Sequence, residues 1–170
     1  SNGCVLVDSI NVLQPPKINI GAFAVGNTSI CVGGTVFLNA NPINYPNYQW
    51  KLNGVNISGA NSPVYQASLG GNYAIQATDS NGCIATSTSI QVQVLPNPNI
   101  QFTGVSSNYC ENQDSVILFA DPAGGTFTGP GVANNLFNPS SLNLGSYQLQ
   151  YAVTDSNGCS DSNTVRVNIR

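Results

Sequence analysis

Gly71-Asn72-Tyr73-Ala74-Ile75-Gln76-Ala77-Thr78-Asp79-Ser80-Asn81-Gly82-Cys83 reads as one strand running into one tight turn. Tyr73, Ile75 and Ala77 recur at a period of two and so fall on a single face of an extended chain. Asp79 to Gly82 then collects the residues that favour turns. A second strand of the same form, Gly145-Ser146-Tyr147 through Thr154, puts Tyr147, Leu149, Tyr151 and Val153 on one face. It runs into Thr154-Asp155-Ser156-Asn157-Gly158-Cys159, which repeats Thr78–Cys83 without change. The chain opens on the tail of a third copy, Ser1-Asn2-Gly3-Cys4.

The other two cysteines keep the same beat. Cys4 to Cys31 is 27 positions and Cys83 to Cys110 is again 27, while Cys31 to Cys83 is 52 and Cys110 to Cys159 is 49. The repeat is therefore 76 to 79 residues long. That is too long for a solenoid unit and suits a string of small sandwich domains. Residues 1–13 are expected to close a preceding repeat as its last strand, so the chain reads as an excerpt that begins inside a domain and carries no signal peptide. Gln14-Pro15-Pro16 and Pro96-Asn97-Pro98 read as short stiff linkers, because Pro fixes φ and favours extended backbone. Two complete repeats follow, 14–95 and 96–170.

Within the first repeat, strands are expected at 17–25, 35–40, 47–52, near 63–68, at 72–78 and at 84–95. Gly33-Gly34, Asn53-Gly54 and Asn81-Gly82 mark the turns between them, the Asn-Gly pairs suiting type I′ hairpins. Trp50 on the third strand fits the buried aromatic anchor of an immunoglobulin-like sandwich, and Tyr73 and Tyr147 stand where such folds place a corner tyrosine. The second repeat has no Trp, so Phe127 and Phe137 are expected to fill that volume. The fold class is all-β: tandem immunoglobulin-like β-sandwich domains.

Composition narrows the function. Among 170 residues there are 24 Asn and only 11 charged side chains, four basic and seven acidic. Nucleic-acid binding needs clustered cations, which are missing. No apolar stretch is long enough to insert in a membrane. With no His, Ser/His and Cys/His catalysis and His-based metal sites are excluded. Asp114 and Asp121 bracket an apolar strand and read as solvated strand ends rather than an acid–base pair. Asp79-Ser80-Asn81-Gly82 has part of a calcium-loop spacing but lacks the later bidentate Glu, so a strand-connecting turn is preferred. Lys17 and Lys51 could supply an isopeptide crosslink, against the plainer reading of surface lysines. No enzyme, metal or cofactor is expected.

Cys31-x-Gly33-Gly34-x-Val36-x-Leu38-x-Ala40, Tyr48-Gln49-Trp50, Gly71-x-Tyr73 and the two Thr-Asp-Ser-Asn-Gly-Cys runs together resemble immunoglobulin-like and PKD-like repeats of Bacteroidota surface proteins. Gly124-Gly125-Thr126-Phe127-Thr128-Gly129-Pro130-Gly131-Val132 and Asn135-Leu136-Phe137-Asn138-Pro139 look like a common variant of them. The likeness covers essentially the whole chain, with Glu111-Asn112-Gln113 departing from the small residues and Gly of the pattern. It implies very large secreted adhesins, including SprB-like gliding-motility ones exported by type IX secretion. It also implies an extracellular, cell-surface location and possible O-glycosylation of Asp-Ser-apolar motifs at Ser9 and Ser115.

An extracellular setting with two cysteines per repeat implies disulfides, Cys4 taking an upstream partner. The leading expectation is the within-repeat pairs Cys31–Cys83 and Cys110–Cys159. The alternative is an inter-repeat Cys31–Cys159 bond, because in an immunoglobulin strand order Cys31 and Cys83 stand at opposite poles. The expected function is a non-catalytic, stiff structural or adhesive spacer whose partners are neighbouring repeats. At about 3.4 Å per residue an 11-residue strand makes each repeat roughly 37 Å long, or about 75 Å for two in series. The runner-up readings are a glycan- or protein-binding module using Tyr45, Tyr48 or Phe127, and accessory domains of a secreted enzyme.

Overall fold

The computed structural model describes Ile10 and residues 17–170. The strand expected over 1–13, with Cys4 and Ser9, lies outside the described residues apart from Ile10. The chain forms two compact units. The first takes residues up to Gly26, Phe37–Ala67 and Gly71–Gln91; the second takes Asn27–Val36, Ser68–Gly70 and Val92–Arg170.

The first nine strands are β1 Gly21–Val25, β2 Ser29–Cys31, β3 Val36–Asn41, β4 Asn47–Leu52, β5 Val55–Asn56, β6 Val64–Ala67, β7 Gly71–Thr78, β8 Ile84–Thr86 and β9 Ile90–Leu95. In the first unit β1, β3 and β6 form one sheet. A second sheet is built on β4, which pairs antiparallel with β5 and β7, while β7 also pairs with β8. The inward positions of β7 are Tyr73, Ile75 and Ala77, as their period of two requires. With Leu38, Ala40 and Trp50 they make the core. Trp50 has no exposed surface, and its Nε1 donates to the Ser62 carbonyl at 3.0 Å. The Tyr65 ring lies 6.0 Å from Trp50 and 5.8 Å from Tyr73, continuing the aromatic stack.

Two turns differ in kind. Asn53 and Gly54 have φ of 51° and 83°, the double positive φ of the expected type I′ hairpin. At Asn81-Gly82 only Gly82 is positive, at 81°, so this turn is not type I′. The Asp79 side chain shapes it instead. The single strand expected over 84–95 is also broken, into β8 and β9. Ser87 is the cause: its amide donates to Ile75 O at 2.9 Å, but its hydroxyl, not its carbonyl, accepts the Ile75 amide at 3.1 Å. Counted from the turn cysteine to the carbonyl that the short parallel strand binds, Leu95 in one repeat and Arg170 in the other, the first repeat has one residue more, and such an extra residue bulges a ladder.

The second unit adds β10 Gln101–Phe102, β11 Asn108–Tyr109, β12 Val116–Ile117, β13 Ala120–Asp121, β14 Thr126–Thr128, β15 Val132–Ala133, β16 Leu136–Phe137, β17 Gly145–Thr154 and β18 Ser160–Ile169. A single 3-10 turn covers Pro139–Ser141. β17 and β18 pair over ten positions, from Gly145 opposite Ile169 to Thr154 opposite Ser160. β14 lies on the free side of β17, and β11 runs parallel to the end of β18. Phe127 and Phe137 are buried in the core, as expected for a repeat without Trp. Their rings pack against Tyr151 at 4.6 Å and Tyr109 at 4.9 Å. Tyr147 OH donates to the Asn143 carbonyl four residues upstream at 2.9 Å, the geometry of a corner tyrosine.

Candidate functional site

The chemistry of this chain sits on its cysteines, and two backbone devices hold them. The first is the turn after β7 and after β17. Asp79 Oδ1 accepts the amides of Asn81 and Cys83, both at 2.8 Å. Asp155 Oδ1 does the same for Asn157 at 2.9 Å and Cys159 at 2.8 Å. Each turn closes with an Asp amide to Cys carbonyl bond, 3.0 Å in one and 2.8 Å in the other. Gly82 and Gly158 take φ of 81° and 84°, a conformation that favours glycine. The Asp carboxylate is thus the cap of a five-residue turn that ends on the cysteine. The Asp155 carboxyl is held below its ordinary value, first by the Cys159 amide; partial desolvation opposes this, and Asn157 and Gly158 add to the lowering.

The second device is a short strand laid parallel to the end of a repeat's last strand. β2 pairs with β9, Cys31 opposite Leu95, and the Val32 amide donates to Leu95 O at 3.0 Å. β11 pairs with β18, Tyr109 opposite Ile169, and the Glu111 amide donates to Arg170 O at 3.0 Å. Gly34 and Gln113 then donate to the carbonyls of Cys31 and Cys110 at 2.8 and 3.1 Å. Glu111-Asn112-Gln113 thus keeps the hydrogen bond back to the cysteine carbonyl but not the whole backbone conformation, since Gly33 takes a φ of 83° and Asn112 takes no positive φ.

Cys31 and Cys159 are joined by a disulfide with a Cα–Cα distance of 5.5 Å. Both belong to the second unit. Cys83 and Cys110 carry free thiols, the first half-buried and the second exposed. The within-repeat pairs Cys31–Cys83 and Cys110–Cys159 are thus not formed, and the inter-repeat alternative is the bond the structure holds. The reason is distance along the strands. Gly70, just ahead of β7, packs against Val92 and Val94 of β9, beside the Cys31 end. Cys83 follows the other end of β7 and belongs to the first unit, where its thiol is free. Cys110 and Cys159 stand just beyond opposite ends of β18, about 37 Å apart at about 3.4 Å per residue. A bridge needs Cα atoms within about 7 Å.

The remaining candidates stand apart from this site. Tyr48 and Phe127 are buried, which removes them from the aromatics expected to touch glycan. Tyr48 OH instead donates to Pro42 O at 3.1 Å. Tyr45 is half-buried, donates to Asn19 O at 2.8 Å and lines a shallow open depression with Ile43, Pro46 and Asp79. Ser115 is exposed just ahead of β12; Asp114 and Asp121 are exposed, as is Lys17, while Lys51 is half-buried on β4. Sequence reasoning missed β2 and β11 as the seats of Cys31 and Cys110. The constant 27-residue interval to each from the preceding turn cysteine was the signal for them.

No protein-family model and no curated protein matches the chain. Among solved structures it is similar to a Ca2+-stabilised adhesin that helps an Antarctic bacterium reach out and bind ice. The identity is 13% and the TM-score 0.50, over 92% of this chain and half of that one. It is also similar to fibronectin(III)-like modules of Clostridium thermocellum CbhA, at 14% identity and TM-score 0.38, covering 88% of this chain and 94% of that one. A third likeness is to SGBP-B of the Bacteroides ovatus mixed-linkage glucan utilization locus, at 19% identity and TM-score 0.34, over 92% and 45% of the two chains. At such identities the likeness is one of fold. The chain is an all-β protein of the immunoglobulin and fibronectin-III-like β-sandwich class.

Proposed function

We propose that this chain is a non-catalytic, extracellular spacer: a repeat segment of a large secreted surface filament or adhesin of the Bacteroidota type, in which neighbouring repeats are each other's partners. One observation carries the reading. The Cys31–Cys159 bond, between residues 128 apart in sequence, ties a cysteine of the first repeat to a cysteine of the second. A structural disulfide of this kind belongs to an oxidising compartment. It spends the cysteines on linking repeats, a task a spacer needs and a lone binding domain does not. The motif likeness to gliding-motility adhesins and type IX secretion cargo supports the same assignment, as does a composition without His and almost without charge.

Backbone 15N relaxation tests the reading directly. A stiff spacer gives one overall tumbling time for amides of both repeats when oxidised, and two times in Cys159→Ser. Independent tumbling with the bond intact would refute it, as would sub-millimolar binding of a glycan on an array.

A further inference from the structure

We propose that Cys83 and Cys110 are the two open halves of the same clip, each built to bond another copy of this repeat. Cys83 is a turn cysteine like Cys159, and Cys110 is a strand-end cysteine like Cys31. The inference rests on the spacer reading above and names the partner of its free cysteines.

The equivalence is one of backbone hydrogen bonds, not of sequence alone. Cys83 has the hydrogen bonds of Cys159: amide to the Asp Oδ1 at 2.8 Å in both, carbonyl from the Asp amide at 3.0 and 2.8 Å. Cys110 shares two backbone hydrogen bonds with Cys31, although Gly33 takes a positive φ where Asn112 does not. In both cases the next residue donates to the last carbonyl of a parallel strand at 3.0 Å, and the residue three on donates back to the cysteine carbonyl. One member of each type is bonded to the other, as Cys31–Cys159. The other member of each type is a free thiol with accessible surface. Within a repeat the two types stand at opposite ends of the strands, so a strand-end cysteine meets only a turn cysteine from a different repeat. The rule that made Cys31–Cys159 therefore joins Cys110 to the Cys83-type turn of a following copy. Likewise it joins Cys83 to the Cys31-type station of a preceding copy.

The chemistry is a two-electron oxidation. With glutathione disulfide as the oxidant, the thiols of Cys110 and Cys83 give up two protons and two electrons. One S–S bond forms between them, the glutathione S–S bond breaks, and two glutathione thiols leave.

The test uses the full chain, alone and in a tandem where residues 14–170 are repeated after Arg170, both folded in a glutathione redox buffer. Non-reducing peptide mapping reads every bond, with Cys31–Cys159 as the internal standard. In the tandem we expect Cys110 of the first copy linked to Cys83 of the second. That link should exceed the symmetric Cys110–Cys110 and Cys83–Cys83 species by about tenfold or more, as a millimolar effective concentration implies. Cys83→Ser in the second copy should leave Cys110 of the first as a thiol or glutathione adduct. Symmetric pairs in excess, or glutathione-capped thiols at both positions of the tandem, would overturn the proposal whatever separate chains do. Such a failure would leave the common tumbling time untouched, whereas a failed spacer reading would show there and not in the peptide map.

Discussion

Asp155 and Cys159 close on each other across a five-residue turn: one carboxylate oxygen accepts the cysteine amide at 2.8 Å, and the cysteine carbonyl accepts the aspartate amide at the same distance. The carboxylate holds the backbone that presents Sγ to Cys31. Its stabilisation depends on ionisation. Because the folded carboxyl titrates below the unfolded one, the contribution is complete above about pH 4 and is lost as the pH falls through the folded value. Urea midpoints from pH 7 to pH 2 should show Asp155→Ala less stable than wild type at neutral pH, with the gap closing towards pH 2. A gap independent of pH would contradict this.

The disulfide itself should behave as one unit. Closing a loop of 128 residues is worth about 5 kcal/mol in the chain-entropy account. Cys31→Ser and Cys159→Ser should each lower unfolding stability by up to that amount, and the double variant should cost no more than either. Thermal or urea unfolding of the three variants checks it; additive losses would mean that each side chain acts separately.

Gly124 and Gly125 look interchangeable in sequence and are not. A Cβ on Gly125 would fall on the Ala152 carbonyl and the Tyr151 ring, whose OH both accepts the Gly125 amide at 2.7 Å and donates to Pro122 O at 2.8 Å. A Cβ on Gly124 meets nothing within 4 Å, though its φ of 96° is strained for Ala. We expect Gly125→Ala to cost about 1–3 kcal/mol or more through overpacking. Gly124→Ala should cost about 1 kcal/mol. Equal losses in urea titrations would refute the contact.

Trp50 is the sole Trp of the chain and is fully buried in the first unit. Its emission should be blue-shifted in the native state and report the unfolding of that unit alone. Trp50→Phe keeps most of the volume but leaves the Ser62 carbonyl without its donor, a loss of about 1–3 kcal/mol. Trp50→Ala should lose about 3–5 kcal/mol, read by circular dichroism.

Much of the fold was legible because local pattern and packing agree. The strand expected at 47–52 is β4 to the residue, and Trp50, Tyr73, Phe127 and Phe137 hold the cores they were expected to hold. The misreadings fall where a local pattern is too short or a side chain replaces the backbone. β2 and β11 have three and two residues, below any periodicity, and exist because a parallel partner far along the chain satisfies them. At Ser87 a hydroxyl takes the place of a ladder carbonyl, which no alternation reveals. The cysteine pairing was unreadable from spacing alone, since both pairings fit the same period. Strand length decides between them, by separating the two cysteines of one repeat.

Consider last a chain with the Cys31–Cys159 bond pulled from its two ends. Tension entering at the N-terminus runs through β1 to Cys31, crosses the sulfur bridge to Cys159 and leaves through β18, so the residues between the two cysteines are never stretched. A segment of 128 residues would otherwise pay out roughly 420–460 Å of slack on unravelling. Cys110 lies inside that sheltered loop. A bond from it to a later copy would interlace one loop with the next.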